Sequence, residues 1–348
     1  MVSVVLPIRN EARFIKACLE RFLEQDYPRD RMEILVIDGS SDDETVAMVR
    51  DFQAQHPEAN LRLFDNVKRI VPTALNIGIG AAKGNVIVRM DGHSFPAHDY
   101  VSKCVAALRQ SGAANAGGVL ELVGATPFGR AVALASGHPL GAGDARYRVG
   151  GVKGFVDTVA FGAFPRAVFE HVGLFDESLV RNQDDEMNMR LRAAGKRVFF
   201  DPSIRVQYSP RGTVRGLWSQ YFQYGWWRLE TMKRHPRALR WRQALPPAMV
   251  AAFAGAAVVA PFWSVAAIGL LVASVVYTAT VAVVAMRLSV PHARPPLVAL
   301  AFGVMHFAYG SGFLIHVLTR GRFPYRADPP SVPSLEAHIS LDTEPKEC

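Results

Sequence analysis

Three short polar clusters hold the side chains of this sequence best suited to chemistry: Pro7-Ile8-Arg9-Asn10-Glu11, Asp38-Gly39-Ser40-Ser41-Asp42-Asp43, and Asp91-Gly92-His93. Each closes a short β-branched run of the kind that forms strands, namely Val2 to Ile8, Glu33 to Ile37 and Val86 to Met90. In an open α/β sheet, ligands bind beyond the carboxyl ends of the strands. Carboxylates gathered there suit a nucleotide, whose base and ribose offer N–H and O–H donors and whose diphosphate is neutralised by a divalent metal held on a carboxylate. Asp and Gly after a single strand are ordinary turn chemistry. Three such ends along one edge of one sheet favour a ligand site. A fourth cluster, Gln183-Asp184-Asp185-Glu186, opens a helical stretch that runs on through Arg190. The helix dipole favours acids in a first turn of any protein. The same position also suits a general base.

The elements that must position these clusters alternate along the first ~210 residues, as in a mostly parallel α/β sheet. Leu61 to Phe64 is a further strand, and Glu11 to Glu24, Thr45 to Phe52 and Pro72 to Ala82 have helical patterning. We divide the chain into an α/β domain over 1–212, a basic aromatic segment over 213–243, a membrane region over 244–318 and a polar, disordered tail over 319–348. The basic segment carries Arg215, Arg228, Lys233, Arg234, Arg237, Arg240 and Arg242 against the single acid Glu230, with Trp218, Trp226, Trp227 and Trp241 among them. It runs directly into an apolar block, so it reads as a membrane-surface anchor and not as a nucleic-acid site.

From Ala244 to Met286 there is no Asp, Glu, Lys or Arg, a stretch about twice the length of one crossing. Two helices are implied, broken near Pro261-Phe262-Trp263-Ser264. Leu297 to Leu318 is long enough for a third, but His306, Tyr309, Gly310, Ser311, Gly312 and His316 make it a poor face for lipid. Arg287 and Arg294 agree with a cytosolic return after two crossings, whereas Arg320, Arg322 and Arg326 disagree with a third. The expectation is two to three crossings. The opening residues lack the basic n-region and length of a signal peptide, which leaves the α/β domain in the cytosol. Cys18, Cys104 and Cys348 have neither disulfide-framework nor zinc spacing.

The runs VSVVLPIRNEARFIKACLERFLEQDYP, EILVIDGSSDDET and ALNIGIGAAKGNVIVRMDGHS, in that order, resemble glycosyltransferase family 2 over roughly residues 2 to 210. Met90 to Ser94, VDTVAFGAFPR from Val156 and NQDDEMNMRLRAAGKR from Asn182 resemble the membrane-associated exopolysaccharide enzymes of the succinoglycan glucosyltransferase type. The resemblance implies a GT-A fold, a Rossmann-like α/β domain followed by a helical membrane region. It implies that Asp38 recognises the nucleoside, with Pro7, Arg9 and Glu11 lining the same pocket. Asp91 falls on the first carboxylate of the family's D-x-D motif, which faces Mg²⁺ or Mn²⁺ on the diphosphate. The second position is His93, a departure; His can ligate Mn²⁺ but is a poor partner for Mg²⁺.

In the family's E-D-x-D/E-L-x-L-R helix the second acid is the base that takes the acceptor's proton. Here Asp184 falls on it and Gln183 on the usual Glu, with Asp185 the alternative register. Glu186, Arg190 and Trp226 are then expected on the acceptor side, with Tyr221 and Trp227 near its entrance. Gln223 to Arg228 departs from the Q-x-x-R-W of processive relatives. The implied reaction is one inverting displacement that moves a hexose, glucose from a UDP-sugar donor, to a polyprenyl-diphosphate-linked saccharide acceptor at the inner membrane. Contact with membrane lipid and a place in a polysaccharide assembly complex are further expectations. The rival readings are nucleotidyl transfer, which wants a Gly-rich basic loop after the first strand, and a catalytically degenerate membrane scaffold.

Overall fold

The computed structural model describes residues 1–235, 240–288, 290 and 293–321. Arg237, Arg322, Arg326 and, from 322 on, the expected polar tail lie outside them. The strands are β1 Val2–Ile8, β2 Met32–Asp38, β3 Leu61–Asp65, β4 Val86–Arg89, β5 Ser94–Pro96, β6 Asn115–Leu122, β7 Gly154–Val156, β8 Ala163–Pro165 and β9 Val198–Tyr208. The α/β part also holds the helices α1 Ile15–Leu23, α2 Thr45–Gln55, α3 Val71–Ala81, α4 Tyr100–Ser111, α5 Pro127–Ser136, α6 Pro139–Ala142, α7 Arg146–Val149, α8 Ala167–Val172 and α9 Gln183–Ala193. Four more follow: α10 Val214–Arg234, α11 Trp241–Val259, α12 Ser264–Leu288 and α13 Pro295–Leu318.

The strands form one sheet in the order β3-β2-β1-β4-β8-β6-β9-β5, with β7 paired to β9. β3, β2, β1 and β4 are parallel, which aligns the ends of β1, β2 and β4 on one edge. Every residue of β1 and β2 is buried, as expected of strands covered on both faces. One face packs Ile15, Cys18, Leu19 and Phe22 of α1 together with α2 and α4; the other packs Leu75 and Ile79 of α3 with Met187 and Leu191 of α9. The spacing of those α1 residues is the helical stripe predicted from sequence. The helix starts four residues later than predicted, because the chain from Asn10 to Ala12 spends its N–H groups on the neighbouring loop. The sheet is also more mixed than expected: β8 runs antiparallel between β4 and β6, and β5 and β7 run antiparallel to β9.

Three helices, α11, α12 and α13, are long and apolar enough to cross a membrane. The break between the first two falls at residues 260–263, beside the predicted Pro261, while the first begins at Trp241 and not at Ala244. Phe262, Trp263, Ile268, Leu271 and Val275 are exposed apolar side chains, consistent with a lipid-facing surface. α13 is different, since its polar residues face protein. His306 bonds Tyr277 Oη at 3.0 Å and Leu140 O at 2.8 Å, and His316 Nε2 lies 3.0 Å from Glu230.

The crossing of α10 on α13 depends on two glycines. A Cβ on Gly225 would sit 2.0 Å from Tyr309 O, and one on Gly312 would sit 2.1 Å from Phe222 O. Small residues let the backbones approach this closely, as in membrane helix pairs generally. Gly225→Ala or Gly312→Ala should therefore force the helices apart at a cost of about 1–3 kcal/mol. The expected result is a lower melting temperature and faster proteolysis of the detergent-solubilised protein than for Gly303→Ala, whose Cβ meets open space.

Candidate active site

The loops after β1 and β2 hold each other in place. Asn10 turns the chain with φ of 55° and exchanges side-chain and backbone hydrogen bonds with Asp42, while Ser41 Oγ and Thr45 Oγ1 accept the N–H groups of Asn10 and Glu11. Asp38 is buried, with Ser41 donating its hydroxyl to one carboxylate oxygen at 2.5 Å and its N–H to the other at 3.0 Å. It closes the turn from behind, and Gly39 and Asp43 form the cavity wall there. This differs from the nucleoside contact expected of Asp38. Pro7, Arg9 and Glu11 do line the cavity.

At the end of β4 the Arg89 guanidinium is buried between two carboxylates. Its Nη2 lies 3.0 Å from Asp91 Oδ1 and its Nε 3.4 Å from Asp184 Oδ1, the second a Coulombic contact without hydrogen-bond geometry. Its face lies 4.7 Å from the ring of Phe161, a cation–π contact. Phe161 itself has φ of 48°, rare for an aromatic residue, and its carbonyl accepts a hydrogen bond from Tyr100 Oη. Burial raises the pKa of Asp184; Arg89 opposes the rise, and Asp91 and Asp185 add to it. A carboxylate of raised pKa is a stronger base.

His93 is not placed as a metal ligand. Nδ1 bonds Glu11 Oε1 and Nε2 bonds Tyr208 Oη, both at 2.7 Å. Burial alone would depress its pKa, but Tyr208 and the Glu11 carboxylate outweigh burial and hold it well above the ordinary value. Both ring nitrogens are thus already committed to protein partners. Asp91 remains as the hard-oxygen donor. Among the described residues no group of three or more His, Cys, Asp and Glu gathers there. That donor set fits a divalent cation that completes its shell with a substrate's diphosphate and water.

Helix α9 carries the other half of the site. Asn182 enters it with φ of 64°, which Asn tolerates, and Asp184 and Asp185 follow in its first turn. Asn188, one turn on, anchors the helix to the sheet through Asn115 at 2.6 Å and Thr158 at 2.9 Å. Asp185 is tied to the buried Arg228 of α10 at 2.5 Å, which neutralises it. The expected acceptor-side residues are not on the cavity wall. Glu186 is buried against Arg190, at 2.8 Å, and His235, at 3.0 Å, and Trp226 packs on His316 with ring centroids 4.5 Å apart. Their work is to join α9, α10 and α13. Sequence reading gave no site role to Arg89, Arg228, Tyr208 or Asn188, although Arg89, a lone charge in the apolar run Val86 to Met90, and Arg228, at the end of the stretch set against Q-x-x-R-W, left a signal.

A cavity of about 2110 Å³ joins these parts. It runs from Arg9 and Glu11 past Asp91, Asp184 and Asp185 to Leu245, Met249 and Met305 of the membrane helices.

The sequence profile of glycosyl transferase family 2 matches residues 3–173. The succinoglycan biosynthesis protein ExoA of Rhizobium meliloti (strain 1021) is 30% identical over 313 residues, 89% of this chain and 93% of the relative. The dolichyl N-acetyl-alpha-D-glucosaminyl phosphate 3-beta-D-2,3-diacetamido-2,3-dideoxy-beta-D-glucuronosyltransferase of Methanococcus voltae is 28% identical over 231 residues, 64% of this chain and 71% of the relative. Among solved structures, the mannosyltransferase PcManGT from Pyrobaculum calidifontis, in complex with GDP-Man and Mn²⁺, superimposes with a TM-score of 0.65 at 23% identity, covering 91% of this chain and 86% of that one. The likeness establishes the GT-A fold. With a relative this similar along almost its whole length, the chain belongs to glycosyl transferase family 2.

Proposed function

We propose that this glycosyltransferase moves a hexose, glucose from UDP-glucose, onto a saccharide carried by a polyprenyl diphosphate, on the cytosolic face of the inner membrane. The observation that carries the reading is the single cavity that holds Asp91 and Asp184 on either side of Arg89 and continues to the membrane helices. The dolichyl-linked sugar in the name of the Methanococcus voltae relative supports a lipid-linked acceptor, and the succinoglycan relative supports a place in polysaccharide synthesis.

In this reading Asp184 takes the proton of the acceptor hydroxyl as that oxygen attacks the anomeric carbon, and a single displacement inverts the configuration. Asp185 is held by Arg228 and positions the start of α9. Asp91 would hold Mg²⁺ or Mn²⁺, which supplies charge neutralisation to the donor's diphosphate. Arg89 balances the two carboxylates.

Asp184→Asn in the full-length protein should lower sugar transfer by about 10²–10⁴-fold while leaving UDP binding close to wild type. Asp185→Asn should cost less; the opposite ranking would move the base to Asp185. Asp91→Ala, or EDTA added to the wild type, should weaken UDP-glucose binding measured calorimetrically, and Mn²⁺ should restore binding only to the wild type. Equal donor affinity with and without EDTA would remove the metal from the account.

A further inference from the structure

The cavity wall between the catalytic aspartates and the membrane helices carries an unbalanced positive charge. Arg228 and Arg242 on this wall are matched by carboxylates, the first by Asp185 and the second by Asp144 and Asp157. Arg148 and Arg181 are half-buried and make no ion pair among the described residues. Arg148 lies in the short helix α7, its guanidinium carbon 5.6 Å from the ring of Tyr147. Arg181 stands three residues before Asp184 and spends its Nε on Gln223 Oε1 at 3.0 Å, which leaves the two terminal nitrogens of its fork to the cavity. Tyr224 lies in the field of both guanidinium groups. Its hydroxyl accepts a hydrogen bond from Gln220 Nε2 at 3.1 Å and keeps its own proton to donate. Half-buried arginines without counter-ions, beside a free hydroxyl donor, are matched by a phosphate oxygen better than by any neutral group.

Their position decides which phosphate. The donor's diphosphate belongs by charge at Asp91, near Arg9, on the far side of Asp184. The wall that holds Arg148 and Arg181 also includes Leu245, Pro246 and Met249 of α11, one of the three helices long and apolar enough to cross a membrane. A phosphate held here would have a sugar hydroxyl on its Asp184 side and a hydrocarbon chain on its membrane side. We propose that Arg148, Arg181 and the Tyr224 hydroxyl form an anion subsite for the phosphate of an isoprenyl-phosphate-linked acceptor. The subsite rests on the reading of the chain as a transferase acting on lipid-linked saccharides, and it is tested without turnover.

Citronellyl phosphate, citronellol and inorganic phosphate would each be titrated into full-length protein in nanodiscs, following tryptophan fluorescence, with UDP binding measured in parallel. Citronellyl phosphate should bind more tightly than either fragment. Arg148→Gln with Arg181→Gln should weaken it about tenfold or more, Lys at both positions should recover part of the loss, and UDP affinity should stay within experimental error. Unchanged citronellyl phosphate binding in the Gln variant would overturn the subsite. Equal binding of inorganic phosphate would replace the lipid assignment with a free anion, and a parallel loss of UDP binding would return both arginines to the donor pocket. If wild-type protein binds citronellyl phosphate as described yet transfers no sugar from any donor, the transferase reading alone fails.

Discussion

A guanidinium buried at the end of a β-strand is costly unless its charge is matched, and the matching of Arg89 organises this site. Asp91 arrives from the same strand end, Asp184 from the first turn of a helix almost a hundred residues later, and both meet the same cation. Without it, two carboxylates in one partly buried pocket would repel each other. The backbone strain at Phe161 belongs to the same arrangement, because its unusual φ carries the ring that covers the face of Arg89.

The membrane part is not an appendage to this domain. α10 packs along α13 through Gly225 and Gly312, and its Arg228 reaches back to Asp185. Glu186 on α9 joins His235 just after α10, and Glu230 on α10 joins His316 on α13. A chain of charged and aromatic contacts therefore runs from α9 into a helix long enough to cross a bilayer. Such a connection couples the cavity to those helices, which suits the lipid-linked acceptor proposed above.

The sequence disclosed what depends on local pattern. Strand ends, the amphipathic α1, the acidic opening of α9 and the apolar helices are short-range periodicities, and each falls within a few residues of its predicted place. What could not be read depends on which loop meets which. Asp38 sits in the pattern of a nucleoside contact, yet Ser41 folds back onto it, and that turn is set by the loop from Asn10. Trp226 is expected on the acceptor side, but it packs on His316, which lies far along the chain. Glu186 and Arg190, expected on the acceptor side, instead pair with each other across one helical turn. The polar residues of α13 were read correctly as unsuited to lipid, and the structure supplies the reason: they face α6, α10 and α12.

The central claim is transfer of a sugar from a nucleotide donor to a lipid-linked acceptor. Membranes containing the full-length chain would be incubated with radiolabelled UDP-sugars and Mg²⁺ or Mn²⁺, and the lipid phase extracted. The account predicts metal-dependent label in the lipid from UDP-glucose. Label that remains entirely in the aqueous phase for every donor, with folded protein shown to be present, would contradict it.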